Sequence, residues 1–187
     1  MDLALRIVSL AGLALLLAAC ASGPAYVPPP AAISVSSVPQ AASAAASEDA
    51  YSRAILQAVN TERSGRGIAP LGFSSQLQRA AAIHSADMAA RGFVGDFNPD
   101  AQGPDERVKA VWPEFKGSVG ENISVNEGVL ANESSTSPDV LAAAIVQRWA
   151  ATLQMRKNMR NAAFTLGGIG ITRSGDKIFV TGVFAAP

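Results

Sequence analysis

The sequence predicts an α+β domain in which helices pack on the faces of a small antiparallel sheet, on two observations. Three stretches between Ser47 and Thr152 place apolar residues at helical spacing. Near the C-terminus, two β-branched runs flank a turn-rich pentapeptide.

The first helix is expected from about Ser47, where Ser47-Glu48-Asp49 offers an N-cap and negative charge for the positive end of the helix dipole. Tyr51, Ile55, Leu56 and Val59 form its apolar pattern, and Ser64-Gly65 ends it. The second runs from Ser74 or Ser75 through Leu77, Ala80, Ala81, His84 and Met88 to Arg91-Gly92. The third spans Val140 to about Thr152, with Pro138-Asp139 at its start and Leu141, Ala144, Ile145, Arg148 and Trp149 along it. A hairpin is expected from Gly168–Thr172 and Ile178–Phe184 around Arg173-Ser174-Gly175-Asp176-Lys177. A shorter strand is expected at Glu121–Val125, followed by a polar loop over Asn126–Ser137.

Ahead of this domain, Leu3–Ala19 holds one charge, Arg6, in an otherwise almost wholly apolar run. That is the build of a signal peptide, and the apolar stretch after Arg6 falls short of the roughly 20 residues a spanning helix needs. Leu17-Ala18-Ala19-Cys20 resembles the bacterial lipobox, which implies cleavage before Cys20 and a diacylglyceryl thioether, with fatty-acyl chains such as palmitate, on its sulfur. Residues 21–47 are Ala, Ser, Pro and Val-rich without a charge, too poor in large side chains to offset their ordering entropy. They are expected to form a disordered tether, with Pro28-Pro29-Pro30 stiffening part of it, so the folded domain covers 48–187. Cys20 is the only cysteine, so an intramolecular disulfide is excluded. The chain is neutral overall and stays so without Asp2 and Arg6, which argues against nucleic acid as a partner.

Beyond the elements, Val59-Asn60-Thr61-Glu62-Arg63 with Gly67-Ile68-Ala69-Pro70-Leu71, the Ala81–Ala89 stretch, Gly120-Glu121-Asn122-Ile123, Trp149 with Arg156 and Asn158, and Gly168-Ile169-Gly170 follow one another in a familiar order. Together they resemble the CAP superfamily of cysteine-rich secretory, antigen 5, pathogenesis-related and bacterial SCP-like proteins, over about residues 50–186. The resemblance implies a three-layer α-β-α sandwich. It also implies a cleft site in which two histidines and one or two glutamates hold zinc or another divalent ion.

This chain departs from that pattern. Phe93-Val94-Gly95-Asp96 and Thr152-Leu153-Gln154-Met155-Arg156 match the two histidine elements, so Asp96 and Met155 stand where the histidines are expected, and Glu121 alone remains of the tetrad. One imidazole, His84, and a thioether make a poor zinc set, and Asp96 with Glu121 are too few oxygen donors for calcium or magnesium. No metal or other cofactor is expected.

The expected binding cleft is therefore His84, Asp96, Glu121 and Met155. Its catalytic candidates are Glu121, His84 and Asp96 as acid and base, and no serine lies in a G-x-S-x-G motif to support a triad. Glu121 reads equally as a cleft carboxylate or as an acceptor of backbone N–H groups. Asn60 and Arg63 read as structural anchors, and Trp149 as core. The expected function is a non-catalytic binding or scaffolding domain anchored to the membrane through lipid on Cys20, meeting a cell-wall component, a peptide or a lipid. The rivals are a hydrolase of peptide or cell-wall substrates acting through Glu121 and a carrier of lipid or sterol. The expected location is the cell envelope, on the periplasmic face of the outer membrane in a Gram-negative host, since Ala21 is unlike the aspartate that retains such proteins at the inner membrane.

Overall fold

A computed structural model describes residues 45–132 and 135–187. The leader, Cys20 and the tether up to residue 44 lie outside the described residues. Among the described residues, no helix is long and apolar enough to cross a membrane.

The elements in order are α1 (Ala45–Ser64), β1 (Gly72–Phe73), α2 (Ser75–Arg91), α3 (Pro104–Val111), β2 (Ser118–Glu127), a 3-10 turn (Gly128–Ala131), α4 (Pro138–Ala151), α5 (Leu153–Met159), β3 (Leu166–Ser174) and β4 (Lys177–Ala186). The sheet order is β1-β3-β4-β2. β4 pairs antiparallel with both long neighbours, and β1 joins β3 in parallel over two residues.

Alternation along β4 sorts the two cores, because successive side chains point to opposite faces. Ile178, Val180 and Phe184 pack with Ile55, Val59, Ile145 and Trp149 under α1 and α4. Val183 and Ala185 pack with Leu77, Ala81 and Val108 under α2 and α3. The result is the expected α+β sandwich, with one helical layer on each face of the sheet.

Local chemistry explains most of the boundaries. Ser74 caps α2, its Oγ accepting from Leu77 N at 3.3 Å, and Ser137 caps α4 ahead of Pro138. α1 begins at Ala45, so Ser47 lies inside the helix instead of capping it. Besides the added length of β2 and the 3-10 turn within the expected polar loop, three elements depart from the sequence expectation: α3, α5 and the short edge strand β1. Each is too short to display a periodic pattern, with eight, seven and two residues respectively.

Long-range anchors join the layers. Arg63, wholly buried, donates to the carbonyls of Ala69, Met159, Asn161 and Phe164 at 2.8–3.0 Å. Asn60 holds Leu71 through both its carbonyl and its N–H. Trp149 is core, and its Nε1 donates to Ile123 O at 3.0 Å.

Candidate functional site

The sheet register decides which side chains meet. Glu121 pairs opposite Val183, so its side chain shares the α2 and α3 face with Val183. His84, one turn before Met88 on α2, comes down on the same face. The start of α3 supplies the third group. Pro104 occupies its first turn, and Glu106 Oε2 accepts from Gly103 N at 2.9 Å, so the helix begins firmly and turns Arg107 inward beside Val108.

The three form one buried cluster. Arg107 Nη2 donates to Glu121 Oε1 at 2.7 Å and to Asp96 O at 2.7 Å, and Arg107 Nη1 donates to Gln102 O at 2.8 Å. His84 Nε2 lies 3.5 Å from Glu121 Oε1 but only 2.8 Å from Gly95 O, so its proton goes to the carbonyl. Phe93 lies against the imidazole, with ring centroids 5.8 Å apart.

Burial sets the charges. It pushes the His84 imidazole down to about 3, with the Arg107 charge adding to the shift and the Gly95 acceptor opposing it. His84 is therefore neutral near pH 7, the state in which Nε2–H donates and Nδ1 is unprotonated. Burial also raises Glu121 to about 7, while Arg107 pulls it back and Asp96 adds to the rise.

A pH dependence follows. A carboxyl raised in the fold binds more protons native than unfolded, so its contribution is fully present below pH 4.5 and declines as pH rises through 7. Glu121→Gln lacks this titration. Its stability relative to the wild type is expected to rise between pH 4.5 and 7.5 by on the order of 3 kcal/mol, measured by urea unfolding across that range. A difference that stays constant with pH would remove Glu121 as a titrating group.

The other expected site residues are placed differently. Asp96 is exposed, and what it brings to the cluster is its main-chain carbonyl as an acceptor and the reach of its charge. Met155 stands on the β2 side of α5: its carbonyl accepts from Asn122 Nδ2 at 2.9 Å, and its side chain packs beside Met88, Ile123 and Phe179. Glu121's carboxylate accepts from Arg107, not from the backbone N–H groups that its alternative reading invoked.

The donor set does not fit a divalent metal ion. The one imidazole has its Nε2 proton committed, Asp96 is exposed, and Glu121's Oε1 is bound by a guanidinium. Among the described residues, no three His, Cys, Asp or Glu side chains converge to hold an ion. Arg107 is the residue that sequence reasoning missed. The signal available was Pro104-Asp105-Glu106, a helix start that puts Arg107 and Val111 on one face.

An open concavity lies elsewhere. A groove of about 560 Å³ beside β1, at the sheet edge opposite β2, is lined by Ser52, Leu56 and Gln57 of α1 with Leu71, Phe73 and Ile169. Phe73 is 60% exposed at its lip.

The profile of the cysteine-rich secretory protein (CAP) family matches residues 56–184. The chain belongs to the CAP family. It is 28% identical over 133 residues to the uncharacterized protein YkwD of Bacillus subtilis (strain 168), covering 71% of this chain and 47% of that protein. Among solved structures, it resembles an extracellular protein containing a SCP domain from Bacillus anthracis str. Ames, with TM-score 0.58, 25% identity, and 75% and 41% of the two chains covered. An outer surface protein from Borrelia burgdorferi shares the fold at 10% identity, with TM-score 0.60 and 71% and 90% covered. This CAP chain thus spans about half the length of the curated relative it matches. The expected family and three-layer architecture hold, and the Bacillus anthracis protein it resembles is extracellular.

Proposed function

We propose that this CAP protein is a lipid-anchored binding or scaffolding module of the cell envelope that works without catalysis and without a metal ion. The observation that carries the reading is the sealing of Glu121: its side chain is 1% exposed and is closed over by Arg107. A carboxyl near 7 has the proton affinity of a general acid or base, but a catalyst must touch its substrate, and this one touches protein. The groove beside β1 offers the ligand surface instead, with an apolar floor and the polar side chains of Ser52 and Gln57 for orientation. Anchoring rests on Leu17-Ala18-Ala19-Cys20 behind an apolar leader.

Retention of the purified chain on isolated cell-wall sacculi tests this, comparing Leu56→Glu in the groove with Glu121→Gln in the cleft. Binding is expected to fall at least about tenfold for the first, a loss of roughly 1.4 kcal/mol, and to be unchanged for the second. Hydrolysis of the sacculi that Glu121→Gln abolishes would favour the rival hydrolase. In cells, Cys20→Ala is expected to move the protein from the membrane to the soluble fraction.

A further inference from the structure

The resemblance to CAP proteins implies a cation in this cleft, and the structure puts a different cation there. Of the three positions matched to the family's ligand set, Arg107 touches two: the carboxylate of Glu121 and the main-chain carbonyl of Asp96, both at 2.7 Å. Its other terminal nitrogen holds Gln102 O at 2.8 Å. The guanidinium is 6% exposed and bonds three acceptors that come from β2 and from both ends of the 96–102 loop. That is the cross-linking a metal ion performs, done by a charge that belongs to the chain.

The rest of the loop is built to hold this arrangement. Asn98 accepts from the N–H groups of Asp100 and Gln102 and donates to Asp87 Oδ2 on α2 at 3.1 Å. Arg91 on α2 holds Asp100 at 2.6 Å. Loop and helix are thus tied on one side by α2 and on the other by Arg107.

We infer that Arg107 is the resident cation of this cleft: its guanidinium takes the place of the family's divalent ion, neutralising Glu121 and fastening the 96–102 loop to β2. A second cation would meet Arg107's charge beside Glu121 and find a single imidazole in place of the family's pair. This deepens the metal-free reading of the cleft given above and rests on it.

The test uses the full-length protein, with Arg107→Met, Arg107→Lys and Glu121→Gln. In the wild type, neither EDTA nor a tenfold excess of zinc is expected to move the thermal midpoint, and dialysed protein is expected to carry no zinc. In Arg107→Met, hydrogen exchange in residues 96–103 is expected to speed up at least about tenfold, while α1 and α4 keep their protection. Adding Glu121→Gln to Arg107→Met is expected to restore part of the lost stability by removing the unpaired carboxylate. Arg107→Lys keeps the charge without the fork and is expected to protect the loop to an intermediate degree, which covers the case in which the methionine variant does not fold. Uptake of one zinc per wild-type chain, or unchanged loop exchange in both Arg107 variants, would overturn the inference. Failure to bind sacculi with these exchange changes intact would overturn the proposed function alone.

Discussion

Gly170→Ala is expected to prevent native folding or to cost more than about 4 kcal/mol, a large effect for a single methyl group. A Cβ at position 170 would sit 2.1 Å from Ala82 N and 2.2 Å from Ala81 C. Those are backbone atoms in the middle of α2, so no side-chain rotation relieves the contact. The helix would have to lift from the sheet, and His84, two residues along, would move with it. Ser85 would lose its bonds to Gly170 O and Thr181 Oγ1, at 3.0 and 2.9 Å. Ordinary overpacking costs about 1–3 kcal/mol because the neighbours give way, and here they cannot. Urea unfolding with circular dichroism reads the loss. A variant that folds within about 2 kcal/mol of the wild type would mean that α2 does not ride this closely on β3.

Arg63→Ala is expected to cost on the order of 4–5 kcal/mol. Four carbonyls, from the segment after α1, from the last residue of α5 and from the stretch between α5 and β3, share this one guanidinium. Each buried acceptor left without a donor costs roughly 1–3 kcal/mol, and water entering the gap recovers part of that sum. Arg63→Lys keeps the charge but offers three donors from one nitrogen, and is expected to lose about half as much. Comparing the two variants by urea unfolding separates the hydrogen-bond fork from the charge. A lysine variant as stable as the wild type would show that only the charge matters.

How far the sequence led depends on the range of the interaction. α2 and α4 were legible because cap, periodicity and stop signals lie within one short window: Ser74 to Gly92 for one, Ser137 to Thr152 for the other. The hairpin was legible because its turn lies between its strands, although β2 proved longer than the expected Glu121–Val125. α3 had a readable start in Pro104-Asp105-Glu106 but only two turns over which to show a pattern. β1 has no signal of its own, since its two residues become a strand only by pairing with Leu166 and Gly167.

The candidate site divides in the same way. Sequence alone established that one cysteine and one histidine make a His-based zinc site poor, because a donor missing from the chain cannot be supplied by folding. It also singled out Glu121 and His84, and it placed the helices and hairpin that carry the fold. What only the tertiary structure decided is how those groups are charged and to what they are bound. Glu121 meets Arg107 from 14 residues away, and His84 meets Gly95 from 11, through contacts made only when α3 and the loop before it close over the sheet. Burial moves their proton affinities in opposite directions, His84 down and Glu121 up. Desolvation and distance belong to the packed molecule, because they depend on what surrounds a side chain in space and not on its neighbours along the chain.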